Sequence, residues 1–125
     1  MPLRMLALLF LTAGPAAAHD LWLIPPEKAD PKGPVKILAA SGMAFPESEH
    51  APDAAKFAAR RVYDPAGKTS DAAVGAVEEK YGALSFAPVG DGVYIVAVET
   101  TPKMIELDAE KFNAYLVSDG WSTIE

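Results

Sequence analysis

Residues 93–100 read Val-Tyr-Ile-Val-Ala-Val-Glu-Thr and follow the turn-forming residues 89–92 (VGDG). This stretch decides the fold, because its β-branched residues favour a strand over a helix. It predicts a central, well-buried β-strand. Tyr94 stands two residues after Gly92, a placement typical of the tyrosine corner of Greek-key sandwiches, in which the phenol bonds back to upstream backbone. An ordinary strand tyrosine is the alternative interpretation.

Further short apolar runs, bounded by turn residues, predict more strands. They are residues 21–24 (LWLI), 35–40 (VKILAA), 56–64 (KFAARRVYD), 82–88 (GALSFAP) and 103–107 (KMIEL). Residues 64–68 (DPAGK) predict a turn, since proline presets φ and glycine permits the left-handed conformation. Residues 70–80 are compatible with a weak strand, a loop or a short helix.

One short helix is predicted near the C-terminus. Asp108 is a favourable N-cap residue, and Phe112, Tyr115 and Leu116 follow at the spacing of one apolar helix face. Asp119-Gly120 carries the glycine signal for the helix end.

The composition limits the classes of protein that fit. The 125 residues include 11 prolines, 9 glycines and no cysteine. Disulfides, cysteine-based zinc sites and thiol catalysis are therefore excluded, and many short elements joined by turns favour a mainly β fold. The length fits one small domain. The net charge of −6 disfavours a nucleic-acid partner, because phosphates repel an acidic protein.

The first residues have the three parts of a secretory signal peptide. Arg4 supplies a positive start, residues 5–12 (MLALLFLT) form an apolar core, and residues 16–18 (AAA) supply a cleavage site. The apolar run is shorter than the ~20 residues of a membrane-spanning helix, which argues against an uncleaved anchor. We expect residues 1–18 to be removed after Ala18 and residues 19–125 to form a periplasmic or secreted domain.

Cleavage after Ala18 would make His19 the first residue, with a free α-amine beside its imidazole. The chain's other histidine, His50, lies in a long connection over residues 41–55. Imidazole and amine nitrogens suit nickel, cobalt and copper, and copper binds tightest. The predicted metal ligands are His19 and His50, with carboxylates of the same connection as further candidates: Glu47, Glu49 and Asp53. The simpler interpretation is a frayed terminus and a solvated loop histidine.

No catalytic site is predicted. The serines at 41, 48 and 85 lack the nucleophile-elbow context, and no phosphate-binding loop or dinucleotide fingerprint occurs. No two carboxylates are paired in a way that indicates a glycosidase.

Several segments together resemble one family of secreted bacterial proteins. The segments are 19–23 (HDLWL), 45–49 (FPESE), 84–88 (LSFAP), 92–96 (GVYIV), 105–107 (IEL) and 109–116 (AEKFNAYL). They are similar to the DUF4198 family, which is grouped with NikM-like periplasmic components of nickel and cobalt uptake. The resemblance implies an immunoglobulin-like antiparallel β-sandwich, a periplasmic location and membrane components of a metal-uptake system as partners. The family domain continues beyond residue 125, so residues 19–125 are expected to be incomplete at the C-terminus.

Three functional hypotheses follow. The first is a non-enzymatic nickel- or cobalt-binding protein that captures the ion through His19 and His50. The second is a metal-free immunoglobulin-like module that docks to a cell-envelope partner. The third is a copper redox protein built on a histidine brace, in which an N-terminal histidine and a second imidazole hold the ion.

Overall fold

The computed structural model describes residues 19–30, 32–118 and 120–121. Predictions for the leader, residues 1–18, and for Asp119 lie outside these residues. The described chain forms the following elements: β1 (Asp20–Ile24), β2 (Val35–Gly42), a 3₁₀ turn (Ala54–Lys56), β3 (Phe57–Tyr63), β4 (Thr69–Asp71), β5 (Ala73–Val74), β6 (Gly82–Phe86), β7 (Ile95–Thr100) and α1 (Ala109–Ser118). No helix in this part of the chain is long and apolar enough to cross a bilayer.

The strands form two antiparallel sheets, which confirms the mainly β prediction. One sheet has the order β1-β2-β6-β5 and the other β4-β3-β7. The first order corresponds to strands A, B, E and D of an immunoglobulin-like sandwich, and the second to C′, C and F. No strand of the described residues pairs with the outer edge of β7, where strand G of that fold would lie.

The two sheets pack against each other through a small apolar core. Ile37 and Leu84 are cross-strand partners in the first sheet, and Val62 faces them from the second. Ala72, just after β4, completes the buried cluster. Val35 lies half-buried against the same cluster, as the alternation of β2 predicts. Because both sheets contribute side chains to the core, the core fixes how the sheets face each other. It therefore also fixes where the end of β1 lies.

Tyr94 forms the predicted tyrosine corner. Its hydroxyl donates a hydrogen bond to the carbonyl of Gly90 (2.8 Å) and accepts one from the N–H of Val89 (3.0 Å). The ring lies 5.3 Å from that of Phe86, centroid to centroid. The side chain thus ties the connection between β6 and β7 to the core, as it does at the corresponding corner of immunoglobulin-like sandwiches.

The prediction of a central, well-buried strand at residues 93–100 is wrong in position. β7 pairs only with β3 and is an edge strand, and Val93 lies outside it. Val93 is 79% exposed and Ile95 is 61% exposed. β-Branched residues favour extended backbone whether a strand has one neighbour or two, so composition alone does not fix its place in a sheet.

Arg61 and Glu99 form an ion pair across the β3–β7 ladder. The carboxylate of Glu99 raises the pKa of Arg61 by accepting its hydrogen bond and by charge attraction. Arg60 donates from Nε to the carbonyl of Ala72 (3.2 Å). Both arginine side chains therefore bind groups within or next to the β4-β3-β7 sheet.

Residues 103–107 form no strand, which corrects the prediction for KMIEL. Met104 is 91% exposed, and this segment belongs to neither of the two sheets. A segment with alternating apolar side chains forms a strand only when another strand pairs with it.

The helix prediction is confirmed. The carboxylate of Asp108 accepts the N–H of Lys111 (2.9 Å), and this bond lowers the pKa of Asp108. At the other end, Trp121 donates to the carbonyl of Leu116 and Gly120 to that of Val117, with Gly120 at φ +82°. This pair of bonds is a Schellman ending, which requires the left-handed conformation that glycine adopts freely.

Candidate metal centre

His19 is positioned by the first pair of strands. β1 runs antiparallel to β2, and the register pairs Asp20 with Gly42 and Leu21 with Ser41. His19 immediately precedes β1, so it lies beside the chain as it leaves β2. The apolar residues of β1 hold this register, because a slip by one residue would turn Leu23 away from the core it packs against.

The connection after β2 returns to the same place. The N–H of Glu49 donates to the carbonyl of Ser41 (2.9 Å), and Ser41 and His50 form an isolated antiparallel bridge. Glu49 and His50 therefore lie beside the end of β2, opposite the start of β1. A Cβ at Gly42 would approach the carbonyl oxygen of Glu47 to 2.8 Å, so this close return requires glycine.

Ser48 holds the returning loop. Its buried hydroxyl accepts the N–H of Ser41 (3.0 Å) and lies 3.0 Å from the carbonyl of His50, to which it donates. One side chain thus satisfies groups on both segments that meet at the site. We expect it to fix the position of His50, because a buried donor left unpaired is costly.

Three side chains converge at this point. Nε2 of His19 lies 2.5 Å from Oε2 of Glu49, thirty residues further along the chain. The rings of His19 and His50 are nearly perpendicular, at 79°, with centroids 4.9 Å apart. One ligand atom from each of His19, Glu49 and His50 lies within 4.8 Å of the other two.

This geometry suits a transition metal ion. Two imidazoles that bind one ion at ~2.1 Å, with ordinary angles between the bonds, have ring centroids roughly 5 Å apart. The two rings already have that spacing. The site is open: the side chain of His19 is 29% exposed and that of Glu49 is 51% exposed. An ion and further ligands could therefore reach it from solvent.

Two of the predicted ligands lie outside the cluster. Asp53 accepts the N–H of Ala55 (3.0 Å) and caps the 3₁₀ turn before β3. Glu47 is exposed in the loop and is not among the converging side chains. A count of acids near His50 could not separate these roles, because the turns between residues 44 and 56 decide which carboxylate faces His19.

Aromatic side chains border the loop. Trp22 and Phe45 make an edge contact with ring centroids 5.8 Å apart, and Phe45 is 71% exposed. Nε1 of Trp22 is buried and has no hydrogen-bond partner among the described residues. The sequence interpretation missed this contact and the role of Ser48. The one signal in the sequence was the position of Ser48, a small polar residue between two glutamates, which could have indicated that its side chain turns inward.

Comparison of the chain with family models, with curated proteins and with solved structures finds no match.

Proposed function

We propose that this chain binds a divalent transition metal ion at His19 and His50, with Glu49 beside them, and serves nickel or cobalt uptake in the periplasm. One observation supports the proposal above all others. The only two histidines of the sequence, thirty-one positions apart, lie with their rings 4.9 Å from each other and beside a carboxylate.

The donor atoms favour a particular class of ion. Two imidazoles with a carboxylate beside them suit nickel, cobalt, copper or zinc, whereas calcium and magnesium prefer oxygen ligands alone. The chain has no cysteine, so thiolate selection for other ions is excluded. The preference for nickel or cobalt over copper rests on the resemblance of segments such as 19–23 and 45–49 to the DUF4198 family.

The openness of the site supports capture and release more than catalysis. The three side chains supply fewer ligands than the six of an octahedral ion, so solvent or a partner can complete the shell. An accessory protein must pass its ion on, and an exposed, incomplete shell permits a ligand of the next component to enter. Membrane components of an uptake system are the partners that this role requires.

A second candidate function has one specific observation in its favour. The outer edge of β7 has no strand beside it among the described residues, and Ile95, the first residue of β7, is exposed. Such an edge can accept a strand from another protein. An immunoglobulin-like docking module without a metal is therefore the alternative, and copper redox chemistry at the same histidines is the third.

Calorimetric titration separates these candidates. The exported chain, with His19 confirmed as its first residue by mass spectrometry, is titrated with nickel, cobalt and copper. We expect one ion per chain and at least a tenfold weaker affinity for His50→Ala. Glu47→Gln is the matched control, because it alters an exposed acid of the same loop outside the cluster, and its affinity should equal that of the wild type.

The alternatives give different results. Absence of binding for all three ions would contradict the proposal and favour the docking module. Binding of copper alone, with oxygen consumption in the presence of a reductant, would favour the redox protein.

A further inference from the structure

Glu49 contacts Nε2 of His19, and this contact leaves the other ring nitrogen, Nδ1, for an ion. Its Oε2 lies 2.5 Å from Nε2, at hydrogen-bonding distance. Two ligand atoms of a single ion, each ~2.1 Å from it with a bond angle of 90–110°, are ~3.0–3.4 Å apart. Nε2 and Oε2 are closer than that, so no ion fits between them in this arrangement.

The remaining nitrogen of the ring is free for an ion. When Nε2 carries the hydrogen that Glu49 accepts, Nδ1 of the neutral imidazole holds the lone pair. Nδ1 is also the ring nitrogen nearest the backbone nitrogen of its own residue. An ion bound to Nδ1 and to the α-amine of His19 closes a six-membered chelate ring.

Resting on the proposed metal-binding function, we infer that Glu49 is a positioning residue and that Nδ1, the α-amine of His19 and His50 are the ligands. A carboxylate on the second nitrogen of a metal-binding imidazole fixes the tautomer and the orientation of the ring and makes it a stronger donor. The loop return through Ser41 holds Glu49 at this place before any ion arrives.

The arrangement also links metal binding to export. Before cleavage the nitrogen of residue 19 belongs to a peptide bond, and it is a much weaker donor than an amine because an ion must first displace its proton. After cleavage it is an amine. The complete set of three nitrogens therefore exists only in the processed chain, which confines tight binding to the compartment where the leader has been removed.

The experiment compares variants of the processed chain loaded with one equivalent of copper(II), a paramagnetic probe of the ligand set. Affinity is measured by calorimetry, and the bound nitrogens are counted by electron paramagnetic resonance. Glu49→Gln keeps an oxygen that accepts the Nε2 hydrogen, whereas Glu49→Ala removes it. Glu47→Gln is the control for lost charge. A chain acetylated selectively at the α-amine tests the chelate.

We expect three bound nitrogens in the wild type and in both Glu49 variants. Affinity should fall by about 10- to 100-fold in Glu49→Ala, the usual effect of losing such a partner, and by less in Glu49→Gln. Acetylation should remove one nitrogen and lower affinity at least tenfold.

Three results would overturn the inference. They are a spectrum of Glu49→Gln that shows a lost oxygen ligand, an unchanged affinity in Glu49→Ala, or an unchanged spectrum after acetylation. Each would leave metal binding itself intact, whereas a wild-type chain that binds no ion would overturn the proposed function as well.

Discussion

The imidazole rings of His19 and His50 stand edge to face, 79° apart in plane and 4.9 Å between centroids. One precedes the first strand and the other ends a loop that returns to the second strand. The pairing of Asp20 with Gly42 and the bridge between Ser41 and His50 bring them together. The candidate metal site is thus a consequence of strand register and of one loop.

Copper should quench the fluorescence of Trp22. Trp22 lies three residues from His19 along an extended strand, which is about 10 Å, a distance at which a paramagnetic ion quenches indole emission. A fluorescence titration of Trp121→Phe, in which Trp22 is the remaining tryptophan, should show this quenching with saturation at one ion per chain. Absence of quenching in Trp121→Phe would place the ion elsewhere.

Ser48→Ala should destabilise the fold and weaken metal binding together. The substitution leaves the buried N–H of Ser41 without its acceptor, at a cost of about 1–3 kcal/mol. Urea denaturation measures this loss, and calorimetry with nickel measures the accompanying fall in affinity. Ser70→Ala, at an exposed position of β4, is the control and should stay within about 0.5 kcal/mol of the wild type. Equal losses in both variants would contradict the role of Ser48.

Much of the fold could be predicted from the sequence. The strands β1, β2, β3 and β6 lie within two residues of their predicted bounds, because short apolar runs between turn residues leave little choice. The tyrosine corner was predictable because a single tyrosine after a glycine turn has few partners. The position of β7 at a sheet edge could not be predicted, since it depends on pairing between distant segments.

The site could be predicted only in part. Three of the five predicted metal ligands lie together: His19, His50 and Glu49. The other two, Glu47 and Asp53, lie outside the cluster. The choice among three neighbouring carboxylates depends on backbone turns and on the hydroxyl of Ser48. Side-chain type carries no information about these. The identity of the ion and the cleavage after Ala18 stay predictions.

Tyr94→Phe should lower stability by about 0.5–1.5 kcal/mol. It removes the hydroxyl that joins the N–H of Val89 to the carbonyl of Gly90 and leaves the ring in the core. Tyr81→Phe is the control, because that hydroxyl has no hydrogen bond within the described chain. Thermal unfolding followed by circular dichroism distinguishes the two variants. If the two variants unfold alike, the corner contributes nothing to stability.

The start of α1 should depend on the charge of Asp108. Its pKa in the folded chain lies below the ordinary 3.8, because the N–H of Lys111 binds the ionised carboxylate. The stabilisation is therefore complete above the unfolded pKa and is lost as the pH falls through the lower, folded value. Carbon chemical shifts of residues 109–118, measured by NMR between pH 7 and pH 2, should show the helix fraying at the acid end.

Two variants test the cause of that fraying. Asp108→Asn keeps an acceptor without the titration, so its helix should depend less on pH. Asp108→Ala should be frayed already at pH 7. A helix that is equally intact at pH 7 in Asp108→Ala would show that the cap is dispensable.

The most direct test of the central claim is an anomalous difference map from crystals of the processed chain grown with nickel chloride, recorded at the nickel absorption edge. We predict one strong peak per chain, about 2.1 Å from a nitrogen of His19 and from a nitrogen of His50. A map without a peak between these two rings, or with its strongest peak at another place on the chain, would contradict the proposal that they form a metal site.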